Sequence, residues 1–443
     1  MTRQTTASSR SGGRRALHRW WEALLAVVAA LFTMLVLASL GLTAAGAADL
    51  PQGGFGRVLA ATVVTAVGGS IDVSGVAGAI AGTEAGVSVL PLSVALGGAL
   101  VLGAGFLRPL RRGELAGIWE LAGWVGRLAV LWLLGLLALA WAARHTFRLS
   151  LSDPELSGLG ELFGIRPEVR FAADVPLTVV FGMLWLAGVL VVSLLVTGAA
   201  PLPGRWLRLR ESLSPVAYAM VGVLLVCVVL GVLVALVVAA THQQPARTFA
   251  VVLLGLPNLV WLAFTLGLGG VWHGRVEGPF GLPMPEVLNQ VLRTPHVSRL
   301  DLGTLAEHDG RVWWLVVIDA VLLVGAGFTA AARGRPGVPL WRHAVRLALG
   351  VAATVLAVAL LGRVSAYFGL SLLGIGDLGG SLSGRVLLRP EVWSMVGLGL
   401  AWGAVCGVAG ALLARWAGLR GRSGAEGLVP RQTEKPDPPA DPE

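Results

Sequence analysis

Runs of about 20 apolar residues recur along the whole chain and constrain its fold more than any other feature. Each run is long enough for a helix to cross a hydrocarbon core of about 30 Å. Of the 443 residues, 55% are hydrophobic and only 13% are charged, which leaves no polar stretch with the length of a typical soluble domain. The sequence therefore predicts an all-α polytopic membrane protein. Its apolar segments lie at 22–48, 57–80, 85–107, 118–143, 175–199, 215–240, 248–271, 312–332, 343–362 and 393–414.

Arginine clusters between the segments predict the orientation of the chain. Short loops rich in arginine stay in the cytoplasm, so all clusters and both termini are predicted to be cytoplasmic, in a plasma membrane. Neighbouring clusters must then be separated by an even number of crossings. The clusters are Arg3/Arg10/Arg14/Arg15/Arg19, Arg108/Arg111/Arg112, Arg205/Arg208/Arg210, Arg333/Arg335/Arg342/Arg346 and Arg415/Arg420/Arg422.

Two apolar segments are predicted not to cross. Three segments separate Arg19 from Arg108, and three separate Arg210 from Arg333. One segment in each group therefore does not cross the membrane. Segment 57–80 is rich in Gly, Thr and Ser, and segment 248–271 is interrupted by a Pro-Asn pair, where proline removes a helix donor. We interpret both as re-entrant or interfacial, which leaves eight crossings.

The two halves of the chain share short motifs in the same order, at offsets of 219 to 223 residues. This pattern predicts an internal duplication, with one unit at 20–200 and the other at 213–416, the second carrying an inserted loop at 272–311. Each unit makes four crossings, so the repeats are parallel. The ends, 1–19 and 417–443, are predicted to be disordered tails. The recurring motifs are GAGF at 103–106 and 325–328, Trp119 and Trp341, RLA at 127–129 and 346–348, Arg144 and Arg363, LSL at 149–151 and 370–372, and RPEV at 166–169 and 389–392.

Ionisable residues inside apolar segments are candidates for function because they are costly there. Glu120 and Arg127 lie seven residues apart on one helix face, where they either pair or anchor the helix at the interface. Asp319 lies two turns into its segment, and we expect it to face a cavity or an arginine of another helix. Its role is either functional or one of structural pairing.

Two further polar features have open interpretations. Arg166, Glu168, Arg389 and Glu391 of the RPEV motifs would meet around the axis between the repeats and form an outward-facing polar site, or they simply begin helices. Asn258 follows the proline of segment 248–271, where its amide and freed carbonyls either contact a substrate or ion or belong to a kinked helix with a satisfied backbone.

The last apolar segment carries a stripe of small residues at four-residue spacing, Gly399, Gly403, Gly407 and Ala411. Small residues let the backbones of neighbouring helices approach closely in a membrane. The stripe predicts a helix-packing face.

Several classes of function lack their signatures. Arginines are spread through the loops without a stripe of stacking aromatics, which argues against nucleic acid as a partner. No phosphate-binding P-loop, HExxH or GxSxG motif occurs, and Cys227 and Cys406 lie in apolar runs. We therefore expect neither an enzyme nor a bound metal or cofactor.

Two apolar stretches, LPLSVALGGALVLGAGF at 90–106 and LPNLVWLAFTLGLGGVW at 256–272, resemble the streptophobe family of actinobacterial membrane proteins. The resemblance extends over most of the chain. It implies an actinobacterial source and a membrane location, but no activity.

The sequence leaves two main functions open, and an intramembrane enzyme is a third, less favoured alternative. The first is transport or binding of a small or lipid-like molecule at the interface between the repeats, indicated by the duplication and the paired non-crossing segments. The alternative is a non-catalytic scaffold that serves cell-envelope or division machinery through protein partners or self-association. Either function has the lipid bilayer as its surroundings.

Overall fold

A computed structural model describes most of the chain. The described residues are 5–49, 54–77, 81–114, 117–143, 145–148, 167–197, 204–241, 245–277, 292, 298–334, 337–372, 375–377 and 384–425.

Long helices dominate the described residues, and nine of them are long and apolar enough to cross a membrane. The prediction of an all-α polytopic membrane protein is confirmed. A further apolar helix, α2, has only 13 residues, and α8 is a short helix outside the apolar segments. The helices are α1 (Thr5–Ala44), α2 (Gly54–Ala66), α3 (Leu92–Arg111), α4 (Ile118–Ala142), α5 (Val175–Val196), α6 (Gly204–Thr241), α7 (Pro245–Gly267), α8 (Leu302–Ala306), α9 (Trp314–Arg333), α10 (Leu340–Leu361) and α11 (Val392–Ala425).

Helix α4 shows how the apolar surface is divided. Its buried face follows the helical repeat, while Val130 and Leu134 on the opposite face are about half exposed. Apolar side chains on both faces suit a helix that packs on protein on one side and on lipid on the other. The buried face consists of Leu121, Trp124, Leu128, Trp132, Leu136 and Ala140.

Within the described ranges, the segments between helices form one antiparallel sheet of nine strands, which the sequence did not predict. Its order is β3-β4-β1-β2-β7-β9-β5-β6, with β8 beside β7. The strands are β1 (Ile71–Ala77), β2 (Ala81–Ser88), β3 (His145–Arg148), β4 (Pro167–Ala173), β5 (Trp272–Glu277), β6 (Ser298–Leu300), β7 (Val364–Leu372), β8 (Ile375–Asp377) and β9 (Gly384–Pro390).

The sheet places four inter-helix segments on one side of the membrane. An open sheet cannot lie in the hydrocarbon core, because unpaired backbone groups find no water there. All strands therefore share a side, which we call the strand side. The opposite helix ends form the arginine-rich end, with Arg108 and Arg111 in the last turn of α3 and Arg333 in the last turn of α9.

Strand pairing also limits the number of crossings. Helices α5, α6 and α7 lie between β4 and β5, and an even number of them must cross because both strands are on one side. Length alone would let all three cross. We infer from its contacts that α7 is the helix that does not.

The contacts of α7 with α1, α3 and α9 lie at the strand-side ends of these three helices. Leu254 lies against Gly41, near the end of α1, and Asn258 is hydrogen-bonded to the first residue of α3. Gly267, the last residue of α7, lies against Asp319 in the second turn of α9. These contacts place parts of α7 near the strand side, whereas its Trp261 indole donates to Leu224 O in the middle of α6. With the short α2, the strand-side contacts are consistent with the predicted eight crossings and two non-crossing segments.

Both end helices extend into the ranges predicted to be disordered. Helix α1 begins at Thr5 and α11 continues to Ala425, so the structure describes helix at 5–19 and at 417–425. Arginine, alanine and leucine favour helix, so a membrane helix can continue past the interface through such residues. Residues 426–443 lie outside the described residues.

Candidate functional site

Strand β5 has one buried and one exposed face. Trp272, Gly274 and Val276 are buried, whereas His273 between them is exposed, as the two-residue period of a strand requires. The Trp272 indole donates a hydrogen bond to Thr265 Oγ1 at 3.0 Å, which ties the buried face to the last turn of α7. The other face of β5 is therefore held facing away from the helices.

Three basic side chains lie next to one another on this exposed face. His273 is directly opposite Arg299 of β6 on one side and Arg389 of β9 on the other, and all three are exposed. We call them the basic row. Arg299 Nε lies 2.9 Å from Asp301 Oδ2, which offsets part of the charge. The row presents the permanent positive charges of Arg299 and Arg389 on one exposed face, on either side of His273.

The two RPEV motifs do not come together. Arg389 belongs to the basic row, and the exposed Glu391 follows β9, where its N–H donates to Val271 O at 2.9 Å. Glu168 lies in β4, and Arg166 lies outside the described residues. Three strands separate β4 from β9, which is about 19 Å along the sheet. The sheet therefore does not bring Glu168 next to Arg389 or Glu391.

The physical reason is that the motifs enter the sheet differently. Pro167 begins β4 and is separated from α5 by the rest of that strand, whereas Pro390 ends β9 immediately before α11. The interpretation as a helix start therefore fits Glu391 and not Glu168.

Asp319 is the buried acidic side chain of the membrane region. It is 3% exposed, and its Oδ2 has no hydrogen-bond partner among the described residues. It faces Gly267, where a Cβ would collide with Oδ2, and it acts electrostatically on Cys227 of α6. Asp319 therefore lies where α6, α7 and α9 meet, and no described arginine forms an ion pair with it.

Asn258 takes part in a set of hydrogen bonds that connects α7 to the start of α3. Its Nδ2 donates to Leu90 O at 2.9 Å, and its Oδ1 accepts the Leu92 N–H at 3.2 Å, which caps the start of α3. Both ends of its amide are thus engaged by the protein.

Ser93 of α3 adds two hydrogen bonds to this set, both with backbone groups of α7. Its hydroxyl donates to Val252 O at 2.8 Å and accepts the Leu256 N–H at 3.2 Å, and these two backbone groups lie one helical turn apart. A side chain inserted beside a proline is an ordinary cause of a helix kink. Of the two alternatives for Asn258, the structure favours a kinked helix whose polar groups are satisfied.

Glu120 and Arg127 each have a partner on α1, at the arginine-rich end. Glu120 Oε2 lies 3.8 Å from Arg19 Nη2, and Arg127 Cζ lies 5.7 Å from the centre of the Trp20 ring. These contacts favour the interpretation that both residues anchor α4 at the interface.

Sequence reasoning missed His273 and Arg299. The alternation in WHGRVE at 272–277 is a strand signal, but it lies in the range that we interpreted as an inserted loop. In the described part of the chain, no three His, Cys, Asp or Glu side chains are grouped as metal ligands would be.

The fold and its polar sites define a polytopic α-helical membrane protein with a β-sheet on one side of the bilayer. No protein-family model, curated protein or solved structure matches the chain.

Proposed function

We propose that this protein is a non-catalytic interaction scaffold of the plasma membrane, whose sheet binds an acidic protein of the cell envelope. The observation that carries the proposal is the basic row, in which His273 is directly opposite both Arg299 and Arg389 on an exposed face. An acidic partner would form charge-assisted hydrogen bonds with the two arginines of this row.

The rest of the fold supports a scaffold that presents the basic row to a partner. Strands from four separate segments of the chain join in one sheet, which fixes the positions of the basic row relative to the helices. The polar side chains of Asn258 and Ser93, which lie in apolar segments, form hydrogen bonds within the protein. The scaffold interpretation therefore accounts for more of the polar residues than transport does.

The proposal places the strand side outside the cell and both termini in the cytoplasm. The arginine clusters lie at the helix ends opposite the sheet, and such clusters remain in the cytoplasm. Eight crossings return the chain to the side on which it began.

Cysteine labelling of intact cells tests this orientation. We expect Arg299→Cys to react with a membrane-impermeant thiol reagent from outside, and Arg112→Cys to react only after lysis. Both side chains are at least 60% exposed, and the native Cys227 and Cys406 are buried and give little background. Labelling of Arg112→Cys in intact cells, or of Arg299→Cys only after lysis, would contradict the orientation.

Photocrosslinking in the source cells tests the scaffold function. A photoreactive residue at Leu387, which lies two residues from Arg389 on the same face of β9, leaves the basic row intact. We expect a crosslinked product of discrete mass, reduced about tenfold by Arg389→Gln because one charge-assisted contact is lost. The product should also decrease as salt rises, because salt screens exposed charges.

Arg311→Gln is the matched control for this experiment. Arg311 is an exposed arginine on the strand side, in a short 3-10 helix outside the sheet, and its replacement should leave the product unchanged. If no discrete product forms, or if both variants reduce it equally, the basic row does not bind a partner.

We further propose that the chain arose by duplication. Helices α3 and α9 begin and end at positions 222 residues apart, and α4 and α10 begin 222 apart. The strand order β3-β4-β1-β2 of the first half also recurs as β7-β9-β5-β6 in the second. An experimental structure whose halves fail to superpose in this order would contradict the duplication.

The two stretches at 90–106 and 256–272 carry a proposal of membership in the actinobacterial streptophobe family. They form α3 with its preceding turn and the second half of α7 with the start of β5. An alignment of family members that lacks both stretches would contradict this membership.

A second candidate function is transport or binding of a small or lipid-like molecule, and Asp319 is the observation that favours it. An intramembrane carboxyl without a described hydrogen-bond partner at Oδ2 is costly, and such residues commonly mark ion or substrate pathways. The stability of Asp319→Leu, taken up in the Discussion, tests whether the residue is retained for function.

A further inference from the structure

A small pocket lies at the arginine-rich end, where α6, α9, α10 and α11 meet. The polar residues of its lining are Ser212, His343 and Arg346. None of the lining residues is acidic. The pocket is thus a hydrogen-bonding site with positive charge, formed by residues more than 130 positions apart in the chain.

Further basic groups surround the pocket. Arg346 and Arg415 both act electrostatically on His343, and Arg415 Nη2 donates to Val338 O at 3.0 Å, which holds it near the start of α10. The N-terminal turn of α10 adds the positive end of a helix of 22 residues. Glu211 is the neighbouring acidic residue on α6, but it does not line the pocket.

Glycines bring the helices close enough to form the pocket. A Cβ on Gly407 would lie 2.9 Å from Ala344 Cα and 3.0 Å from His343 O, so α11 packs directly on the backbone of α10. Gly334, at the end of α9, leaves room for the His343 ring, whose Cε1 would lie 3.6 Å from a Cβ there. The cavity itself measures about 10 Å³, which is room for one water-sized group.

Tryptophans place the pocket at the depth of lipid headgroups. Trp341, near the start of α10, is 61% exposed, and Trp416, toward the end of α11, is 56% exposed. Tryptophans at helix ends typically lie at the membrane–water interface. A ligand of the pocket would therefore reach it from the headgroup layer or from the cytoplasm.

We propose that this pocket binds a phosphate group. Arginine, imidazole and hydroxyl donors together suit phosphate oxygens, and basic pockets between membrane helices on the cytoplasmic side bind anionic headgroups. The cavity has room for one phosphate oxygen, and Arg346 is the charged residue of its lining. The phosphate comes either from an anionic phospholipid or from a soluble phosphate.

Lipid binding to the full-length protein in detergent tests this site. Dioleoylphosphatidylglycerol is titrated by native mass spectrometry, with dioleoylphosphatidylcholine as the zwitterionic reference. We expect tighter binding of the anionic lipid, weakened about tenfold by Arg346→Gln through loss of a charge-assisted hydrogen bond. Arg342→Gln is the matched control, because Arg342 is exposed on the same helix, near Trp341, and does not line the pocket.

Inorganic phosphate distinguishes the two sources. If it displaces the anionic lipid at millimolar concentration, the site takes soluble phosphate. If it does not, the lipid headgroup is the ligand. Equal binding of the two lipids together with no binding of inorganic phosphate, or equal losses in Arg346→Gln and Arg342→Gln, would overturn the proposal. If Arg346→Gln does not fold, Ser212→Ala is used in its place. Unchanged binding of the anionic lipid by Ser212→Ala would then reject the site.

Discussion

Replacing Gly403 with valine is expected to destabilise the protein by about 3 kcal/mol or more. A Cβ at Gly403 would lie 2.5 Å from Ala348 Cα and 2.8 Å from both Ala348 N and Leu347 O. These are backbone atoms of α10, which cannot rotate away as a side chain can. Helices α10 and α11 would have to separate, and their buried apolar contacts would be lost.

Gly397→Val is the control for this prediction. Gly397 lies in the same helix, and no heavy atom lies within 4 Å of the position of a Cβ there. Its replacement should shift the midpoint of thermal unfolding in detergent only slightly, whereas Gly403→Val should lower it by many degrees. Equal effects of the two variants would show that the close approach of α10 and α11 is absent.

Replacing Asp319 with leucine is expected to stabilise the protein by about 1–3 kcal/mol, the cost of one unsatisfied buried polar group. Leucine has nearly the shape of aspartate, and Gly267 leaves room for a branched side chain at this point. The change removes a carboxyl oxygen that has no described hydrogen-bond partner. The midpoint of thermal unfolding in detergent measures the effect.

A stabilising effect would mean that Asp319 is kept at the expense of stability, which supports a role in transport or binding. Asp174→Leu provides the comparison, because the Asp174 carboxylate accepts the Leu177 N–H at 3.2 Å and caps α5. That variant should lose about 1 kcal/mol. If Asp319→Leu loses stability as Asp174→Leu does, the Asp319 carboxyl has structural partners, and the second candidate function fails.

The sequence by itself determined the membrane character of the chain and much of its helix packing. Length and hydropathy suffice for these features, because a membrane helix satisfies its backbone within one continuous segment. The arginine clusters predicted two apolar segments that do not cross, and the positions of α2 and α7 agree with this. The small-residue stripe predicted a close packing face, and Gly403 and Gly407 lie directly against the backbone of α10.

Only the tertiary structure decided what the polar residues do. The strands pair across long distances, as when Ala81 of β2 meets Leu372 of β7, so no local pattern states the register. His273 and Arg389 become neighbours through such pairing, and Asn258 finds its partners on a helix more than 160 residues earlier. A helix forms its hydrogen bonds within one segment of the chain. A sheet, and hydrogen bonds such as those of Asn258, depend instead on which distant segments the fold brings together.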